Sequence, residues 1–320
     1  MRVIVTGGAG FIGSNLVAGL IERGDEVTVI DNFSTGHREF LDRSLVSGRL
    51  AVETLDLLGD VHRLADVFDG SDAVVHLAAN ADVRFGLDNP RRDLDQNVVA
   101  THNVLEAART SRVPELVFSS TGSVYGEAEV IPTPEDAPFP RQTSLYGASK
   151  AAAEGFIAAY AEGFGLRATV YRFVSILGAC YTHGHVIDFV AQLIDHPDHL
   201  HILGDGTQRK SYLEVGDCVA AIMGRLGHAD GLAVFNLGVD GYCTVNDSVG
   251  WICERLGVEP ELTYGGGDRG WVGDNPFIFL DTTKIRATGW RPRWSIRDAV
   301  EHTVDYLVAN PAIVAALERR

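Results

Sequence analysis

The sequence predicts an α/β fold: a doubly wound parallel sheet with a smaller, mostly C-terminal α/β region. Three observations predict it. Short β-branched runs, apolar on both faces, alternate with helical patterns through the first half of the chain, as buried parallel strands covered by helices do. A glycine-rich turn joins the first run to the first helical stretch. Beyond about Ser175 the pattern is less regular, and glycine-rich loops at Gly204–Gly206 and Gly265–Gly267 separate shorter elements.

Val3–Thr6 reads as the first strand and Phe11–Glu22 as an amphipathic helix. Val27–Ile30, Ala73–Leu77 and Leu116–Ser119 follow as strands. Ile131–Pro140 is a proline-rich loop, a helix starts near Tyr146, and Thr169–Phe173 is a further core strand. Residues 1–174 are expected to form one domain, with some later segments returning to it, and residues 175–320 mainly a second.

The composition narrows the function classes. Of 320 residues, 46% are hydrophobic and 22% charged, an ordinary globular balance. Lys and Arg number 27 against 43 Asp and Glu, a formal charge of −16 that repels nucleic acid and anionic membrane surfaces. An anionic ligand therefore needs a locally built site. Cys180, Cys218, Cys243 and Cys253 show no paired metal spacing and read as reduced thiols. With no signal-peptide pattern and no apolar stretch of membrane-spanning length, the expectation is a soluble, cytoplasmic protein.

Val3-Ile-Val-Thr-Gly7-Gly-Ala-Gly10-Phe11-Ile12-Gly13 combines a strand, a glycine turn and a helix start. Gly8, Gly10 and Gly13 fit G-x-G-x-x-G, while Gly7, Gly10 and Gly13 fit the G-x-x-G-x-x-G variant. Such glycines let the backbone approach a pyrophosphate, and the helix N-terminus offers it free N–H groups and partial positive charge. The second strand ends at Asp31, 18 residues beyond Gly13. A carboxylate there accepts hydrogen bonds from adenosine ribose hydroxyls and repels a 2′-phosphate, favouring NAD over NADP. His37 and Arg38 stand nearby.

Tyr146-Gly-Ala-Ser-Lys150 places a phenol and an ammonium on one helix face. The Lys charge, with that of an oxidised nicotinamide, would lower the phenol's pKa by roughly a few units and make it a base. Upstream, Ser119-Ser-Thr121-Gly122-Ser123-Val-Tyr125-Gly126 follows a strand at the carboxyl edge where α/β sheets bind ligands. Thr121 there can exchange hydrogen bonds with a reacting hydroxyl. His183, His185, His196, His199 and His201 crowd one stretch but lack helix-spaced ligand patterns, so they read as loop and surface residues and no metal is expected.

Together these motifs, with His76-Leu77-Ala78-Ala79, Asn97-Val98, Gly204-Asp-Gly-Thr-Gln208 and Gly289-Trp290, resemble the extended short-chain dehydrogenase/reductase family, in its UDP-galactose 4-epimerase-like branch. The resemblance implies a Rossmann-type sheet, a permanently bound NAD and a smaller nucleotide-sugar domain. It implies Tyr146 as base, Lys150 as its electrostatic partner, and Thr121 with Ser123 as hydroxyl-bearing catalytic residues. Gly7, Gly10, Phe11, Ile12, Gly13, Asp31, Asn32, Asp56, Leu57, Leu77, Ala78, Ala79, Asn97, Ser119, Tyr146 and Lys150 fall at cofactor positions. Arg84, Thr121, Ser123, Tyr146, Ser175, His185, Val186, Lys210, Arg269 and Asp274 fall at substrate positions. A homodimer packed through helices at roughly residues 96–110 and 146–162 is implied as well.

The implied reaction is epimerisation at C4 of a UDP-hexose through a transient 4-keto sugar. The 4,6-dehydratases of the family carry Asp-Glu directly after the Thr; Gly122 and Ser123 stand there and supply no acid or base for eliminating water. Ser175 replaces an Asn that the branch carries near the sugar pyrophosphate, Cys180 lies where relatives have Arg, and Lys210 replaces a phosphate-binding Arg. Open alternatives are a 2-epimerase, a UDP-glucuronate 4-epimerase, a reductase or a dehydratase, and, outside enzymes, an NAD-binding sensor.

Overall fold

Alternate residues of the central strands feed opposite helical layers, as a period of two demands. Val3, Val5, Val27, Val29, Val75 and Val117 enter one buried cluster, while Ile4, Ile30, Val74, Leu116 and Phe118 enter the other. These side chains come from strands β1 (Arg2–Thr6), β2 (Glu26–Asp31), β3 (Leu50–Thr54), β4 (Ala73–His76), β5 (Glu115–Thr121) and β6 (Arg167–Phe173) of one sheet. The seventh strand, Leu232–Leu237, pairs with β6. All seven are parallel, in the spatial order Leu232–Leu237, β6, β5, β4, β1, β2, β3. The order reverses between β1 and β4, and the crevice at their carboxyl ends is the switch point where such sheets bind ligands. The computed structural model describes residues 1–80, 85–138, 141–271, 273–275 and 277–316, so Arg84 and the end of the proline-rich loop at Pro140 lie outside the described residues.

Helices cover both faces. Phe11–Arg23 and Val215–Arg225 bring Leu16, Leu20, Val219 and Ile222 to one side. Val61–Phe68, Ala100–Thr110 and Leu145–Phe164 bring Phe68, Val104, Leu105 and Ile157 to the other. The first cluster runs on into the later region, where Val186, Ile187, Leu213, Val300 and Val304 share it. That region is built from helices His185–Asp195, Val245–Leu256 and Ile296–Ala309 around short strand pairs, among them Ser175–Leu177 with Tyr212–Glu214 and His199–Ile202 with Glu261–Tyr264.

The structure extends the sequence reading at three places. β3 sits at the sheet edge and is only half buried, so it lacks the apolar run that marks the central strands. Leu232–Leu237 returns to the sheet from the second half of the chain. The helix expected over residues 96–110 begins as a π-helical turn, Leu94–Val99, before continuing as Ala100–Thr110. A π turn shifts side-chain direction locally, and such turns cluster at functional sites. The proline-rich loop is pinned from the C-terminal side: Thr133 N–H donates to the Phe279 carbonyl, and Asp281 N–H donates to that of Thr133. All four cysteines are free, and among the described residues no helix is long and apolar enough to cross a membrane.

Phe68 is wholly buried between the Val61–Phe68 helix and the sheet. Phe68→Ala is expected to cost about 3–5 kcal/mol, read from urea denaturation; a loss below about 1 kcal/mol would show that this layer does not hold the sheet.

Candidate active site

The glycine turn is closed by its own backbone. Gly7 donates to the Ile30 carbonyl at 2.8 Å, and Gly10 donates to that of Gly7 at 3.1 Å. Gly7 has φ +69°, and a Cβ on it would sit 2.6 Å from Ala78 N; on Gly13 a Cβ would sit 2.2 Å from the Gly7 carbonyl oxygen. Only glycine fits either position, and the turn is thereby pressed against Leu77-Ala78 at the end of β4. The helix starting at Phe11 and Ile12 has no side-chain cap and no acidic residue in its first turn, so its N–H groups are left for an external anion.

Asp31 ends β2 beside this turn. Its Oδ2 accepts from Ala9 N–H at 3.0 Å and its Oδ1 from Phe33 N–H at 2.8 Å. The carboxylate thus braces the turn, a duty the sequence reading did not assign, and each oxygen keeps a further lone pair. Asn32 donates to Asp56 Oδ2 at 3.1 Å, next to the buried Leu57, which brings the predicted adenosine-side residues together. Arg38 lies 3.8 Å over the Phe33 ring and donates to Thr54 Oγ1, so it is held within the same loop.

Across the crevice, Thr121 ends β5, and its side chain opposes the rise of the Tyr146 phenol's pKa. Thr121 Oγ1 also accepts from Ser123 N–H at 3.1 Å and contacts Ser123 Oγ at 3.2 Å. Tyr146 lies in the first turn of a helix whose N-cap, Ser144, accepts from Gly147 N–H. Lys150, one turn on, is buried, donates to the Ser119 carbonyl at 2.9 Å and lies 4.7 Å from the centre of the Phe118 ring. Burial pushes its ammonium down to about 7, against the pull of Glu154. Burial also pushes the Tyr146 phenol up to about 12, helped by the Asp93 charge and opposed by the Thr121 side chain. The expected lowering of the phenol's pKa draws on the Lys150 charge and an oxidised nicotinamide together; in the protein alone Lys150 donates to a carbonyl. A cleft of about 260 Å³ opens between Gly86–Leu87 and Gln142–Leu145.

Two buried networks hold this arrangement. Below Lys150, Arg172 grips Glu154 through Nη2 at 2.7 Å and Nε at 3.1 Å, Ser120 donates to the same carboxylate, and Arg172 reaches Tyr125 Oη at 2.6 Å. Tyr125 then donates to Asn236 Oδ1 at 2.8 Å, joining β5, β6, the Tyr146 helix and the seventh strand. In the second, Asn97 in the π turn accepts from Asn80 N–H at 2.8 Å and donates to Ser149 Oγ at 2.9 Å; Ser149 donates to the Tyr146 carbonyl at 2.8 Å. Asn97 therefore serves as an internal strut next to Ala79. Asp93, Asn80, Glu154 and Arg172 were missed by the sequence reading, because an Asp or Arg in a helical or strand pattern looks like a solvated face.

On the second region, the structure brings Lys210, Asp274 and Arg269 together. Lys210 Nζ donates to Asp274 Oδ1 at 2.7 Å and to the Asn275 carbonyl at 2.6 Å. Arg269 donates to the Asp274 carbonyl and pairs with Glu127, an acidic partner that sequence reasoning did not single out. Ser175 is exposed at the start of its strand and pairs in register with Tyr212. His185 is stacked on Tyr212 at 4.8 Å and bonded to Ser248 Oγ at 2.8 Å; burial drives its pKa down to about 3, so it is neutral. Val186 is a correction: it has no exposed surface and points into the core from the first turn of His185–Asp195, so it presents nothing to a ligand.

The Lys150 value fixes the sign of a pH effect. Between about 7 and the ordinary 10.5, the unfolded chain holds this proton and the folded chain does not, so stability rises with pH across that window. Lys150→Met is expected to raise Tm relative to wild type most below pH 7, with the difference shrinking towards pH 10. Parallel Tm–pH curves for the two proteins would contradict the burial cost.

Comparisons with known proteins place the chain among its relatives. A model of the NAD-dependent epimerase/dehydratase family matches residues 3–238. The UDP-glucose 4-epimerase of Corynebacterium glutamicum is 36% identical over 261 residues, 76% of this chain and 77% of that protein. A crystal structure of a UDP-galactose 4-epimerase superposes with TM-score 0.86 at 40% identity, covering 97% of this chain and 99% of its own. MoeE5, solved with UDP-glucuronic acid and NAD, superposes with TM-score 0.85 at 29% identity, covering 97% and 99%. With a family model matching residues 3–238 and relatives of this identity, the chain belongs to the NAD-dependent epimerase/dehydratase family.

Proposed function

We propose that this protein is an NAD-dependent epimerase acting at C4 of a UDP-hexose. The observation that carries the assignment is Lys150, one turn after Tyr146, buried and donating to the Ser119 carbonyl of the strand that ends in Thr121. The residues present fit NAD. The Gly7–Gly13 cradle has no room for a Cβ, the uncapped helix N-terminus suits a pyrophosphate, and Asp31 stands at the ribose position. Asn32, Asp56 and Leu57 would border the adenine, and Leu77, Ala78, Ala79 and Ser119 the nicotinamide side.

When bound, NAD supplies a cationic ring that accepts a hydride from the sugar and gives it back. The chain's own residues handle the proton. With that positive charge added to the Lys150 ammonium, the Tyr146 phenol becomes ionisable near neutral pH and takes the proton of the sugar 4-hydroxyl. Thr121 and Ser123 hold that hydroxyl in line by hydrogen bonds. Tyr146 then returns the proton once the 4-keto sugar has turned over in the pocket. Gly122 and Ser123 supply no carboxyl group, so elimination of water has no acid or base there.

The second region is assigned the nucleotide sugar. Lys210 and Arg269 would meet the diphosphate, with Asp274 fixing both; Ser175 and His185 border the same side. The helices Ala100–Thr110 and Leu145–Phe164 leave Phe156 and Phe164 exposed, an apolar face suited to a second copy of the chain in a homodimer. Relatives solved with UDP-glucose and with UDP-glucuronic acid mark the substrates to compare.

The deciding experiment incubates the protein and NAD with UDP-glucose, UDP-galactose, UDP-N-acetylglucosamine and UDP-glucuronic acid and resolves the products by NMR. Interconversion of UDP-glucose and UDP-galactose without net NADH is expected. Tyr146→Phe should lower kcat about 10²–10⁴-fold while NAD binding persists by calorimetry. Full turnover by Tyr146→Phe, or no reaction with any of the four sugars, would overturn the assignment.

A further inference from the structure

Asn275 is 8% exposed and bonds in two directions. Towards the second region, its carbonyl accepts from Lys210 Nζ at 2.6 Å. The neighbouring Asp274 carboxylate accepts from the same ammonium at 2.7 Å and from Gly270 N–H at 3.0 Å. Towards the first region, the Asn275 side-chain amide donates to the Gly126 carbonyl, while its Oδ1 accepts from Phe277 N–H at 3.3 Å. From Gly126 the bonds run on into the candidate site. Gly126 N–H donates to the Ser123 carbonyl at 3.0 Å, and Ser123 N–H donates to Thr121 Oγ1 at 3.1 Å. The Tyr146 helix backs this turn, since a Cβ on Gly147 would sit 2.8 Å from the Ser123 carbonyl oxygen. Arg269 adds a second tie to the same place through Glu127, the residue after Gly126. Lys210 and Thr121 thus lie at the two ends of one hydrogen-bonded chain, and Asn275 is where that chain crosses between the regions.

We propose that Asn275 is a positioning residue: it fixes the separation between the cations that grip the diphosphate and the hydroxyl groups that meet the sugar. The proposal rests on the nucleotide-sugar assignment above. C4 lies across the pyranose from the carbon that carries the diphosphate. In the assigned reaction the ketone turns over between losing a hydride and regaining it, and through that interval the remote grip keeps the carbon within reach. A grip that floated relative to Thr121 and Tyr146 would bind the nucleotide as well but present the carbon out of line. A misplacement of about 1 Å lowers a rate on the order of 10²-fold. Contacts far from the reacting bond assist it only through a rigid connection of this kind. An amide suits the position, because it gives Gly126 a donor and Phe277 an acceptor without adding charge beside an anionic ligand.

Asn275→Ala deletes the amide and leaves the backbone carbonyl to Lys210. By calorimetry its Kd for UDP should stay within about threefold of wild type. With UDP-glucose its kcat should fall about 10–100-fold, and bound reduced nicotinamide should build up in the absorbance as the ketone returns out of line. Hydrogen exchange read by mass spectrometry separates this from a general loosening. In wild type, UDP should slow exchange at residues 121–127 as well as at 209–212; in Asn275→Ala, only at the latter. Equal losses of UDP affinity and kcat, or an unchanged kcat, would reduce Asn275 to a structural tie and overturn the proposal. So would wild-type exchange at residues 121–127 that ignores UDP, a result that needs no variant to fold. If UDP slows exchange in both segments but no sugar nucleotide is converted, the epimerase assignment fails and the exchange data still support the connection through Asn275. A wild type that does not bind UDP would sink both.

Discussion

The ammonium of Lys150 rests on the Ser119 carbonyl in a place water does not reach, and most of the site is arranged around that contact. Burial pulls the Lys150 pKa down to about 7 against the opposing pull of Glu154, one turn away and itself fastened by Arg172, so below that pH the charges alternate through the interior as cation, anion, cation. Because Ser119 and Ser120 belong to β5 and Arg172 to β6, the chain of charges also fixes the strand ends that present Thr121. The geometry of the candidate site and its electrostatic compensation are thus the same set of bonds.

The parts of this arrangement that were legible in the sequence are those written in local signals. The glycine turn, Asp31 and the Tyr146–Lys150 spacing each depend on residues a few places apart, and the central strands announce themselves by unbroken apolar runs. Asp93 and Asn80 were not legible, because their meaning comes from a π turn that swings Asn97 between them. Glu127 gains its role only by meeting Arg269, 142 residues away. Val186 misled for a related reason. It follows a histidine in a glycine-flanked stretch that reads as loop, yet the chain is already helical there and turns that side chain inward.

The net charge of −16 looks unfavourable for an anionic ligand, and the structure shows how the conflict is contained. The two cations assigned to the ligand, Lys210 and Arg269, are each held by an acidic partner, Asp274 and Glu127. Pairing keeps the long side chains in one geometry, so their ordering entropy is lost on folding and not on binding. The helix N-terminus after Gly10 adds positive potential without any formal charge.

His76 gives the crevice a floor with a fixed proton inventory. Thr101 donates its hydroxyl proton to the Asn97 carbonyl, so it can only accept from the imidazole; Nε2 must carry the hydrogen, and Nδ1 receives one from Thr6. Burial holds the ring's pKa at about 3. This imidazole is therefore held in a single tautomer and stays neutral at pH values well above 3. In the proposed reaction, the proton exchanged above it would then be shared by the phenol, the ammonium and the sugar, and not by this ring.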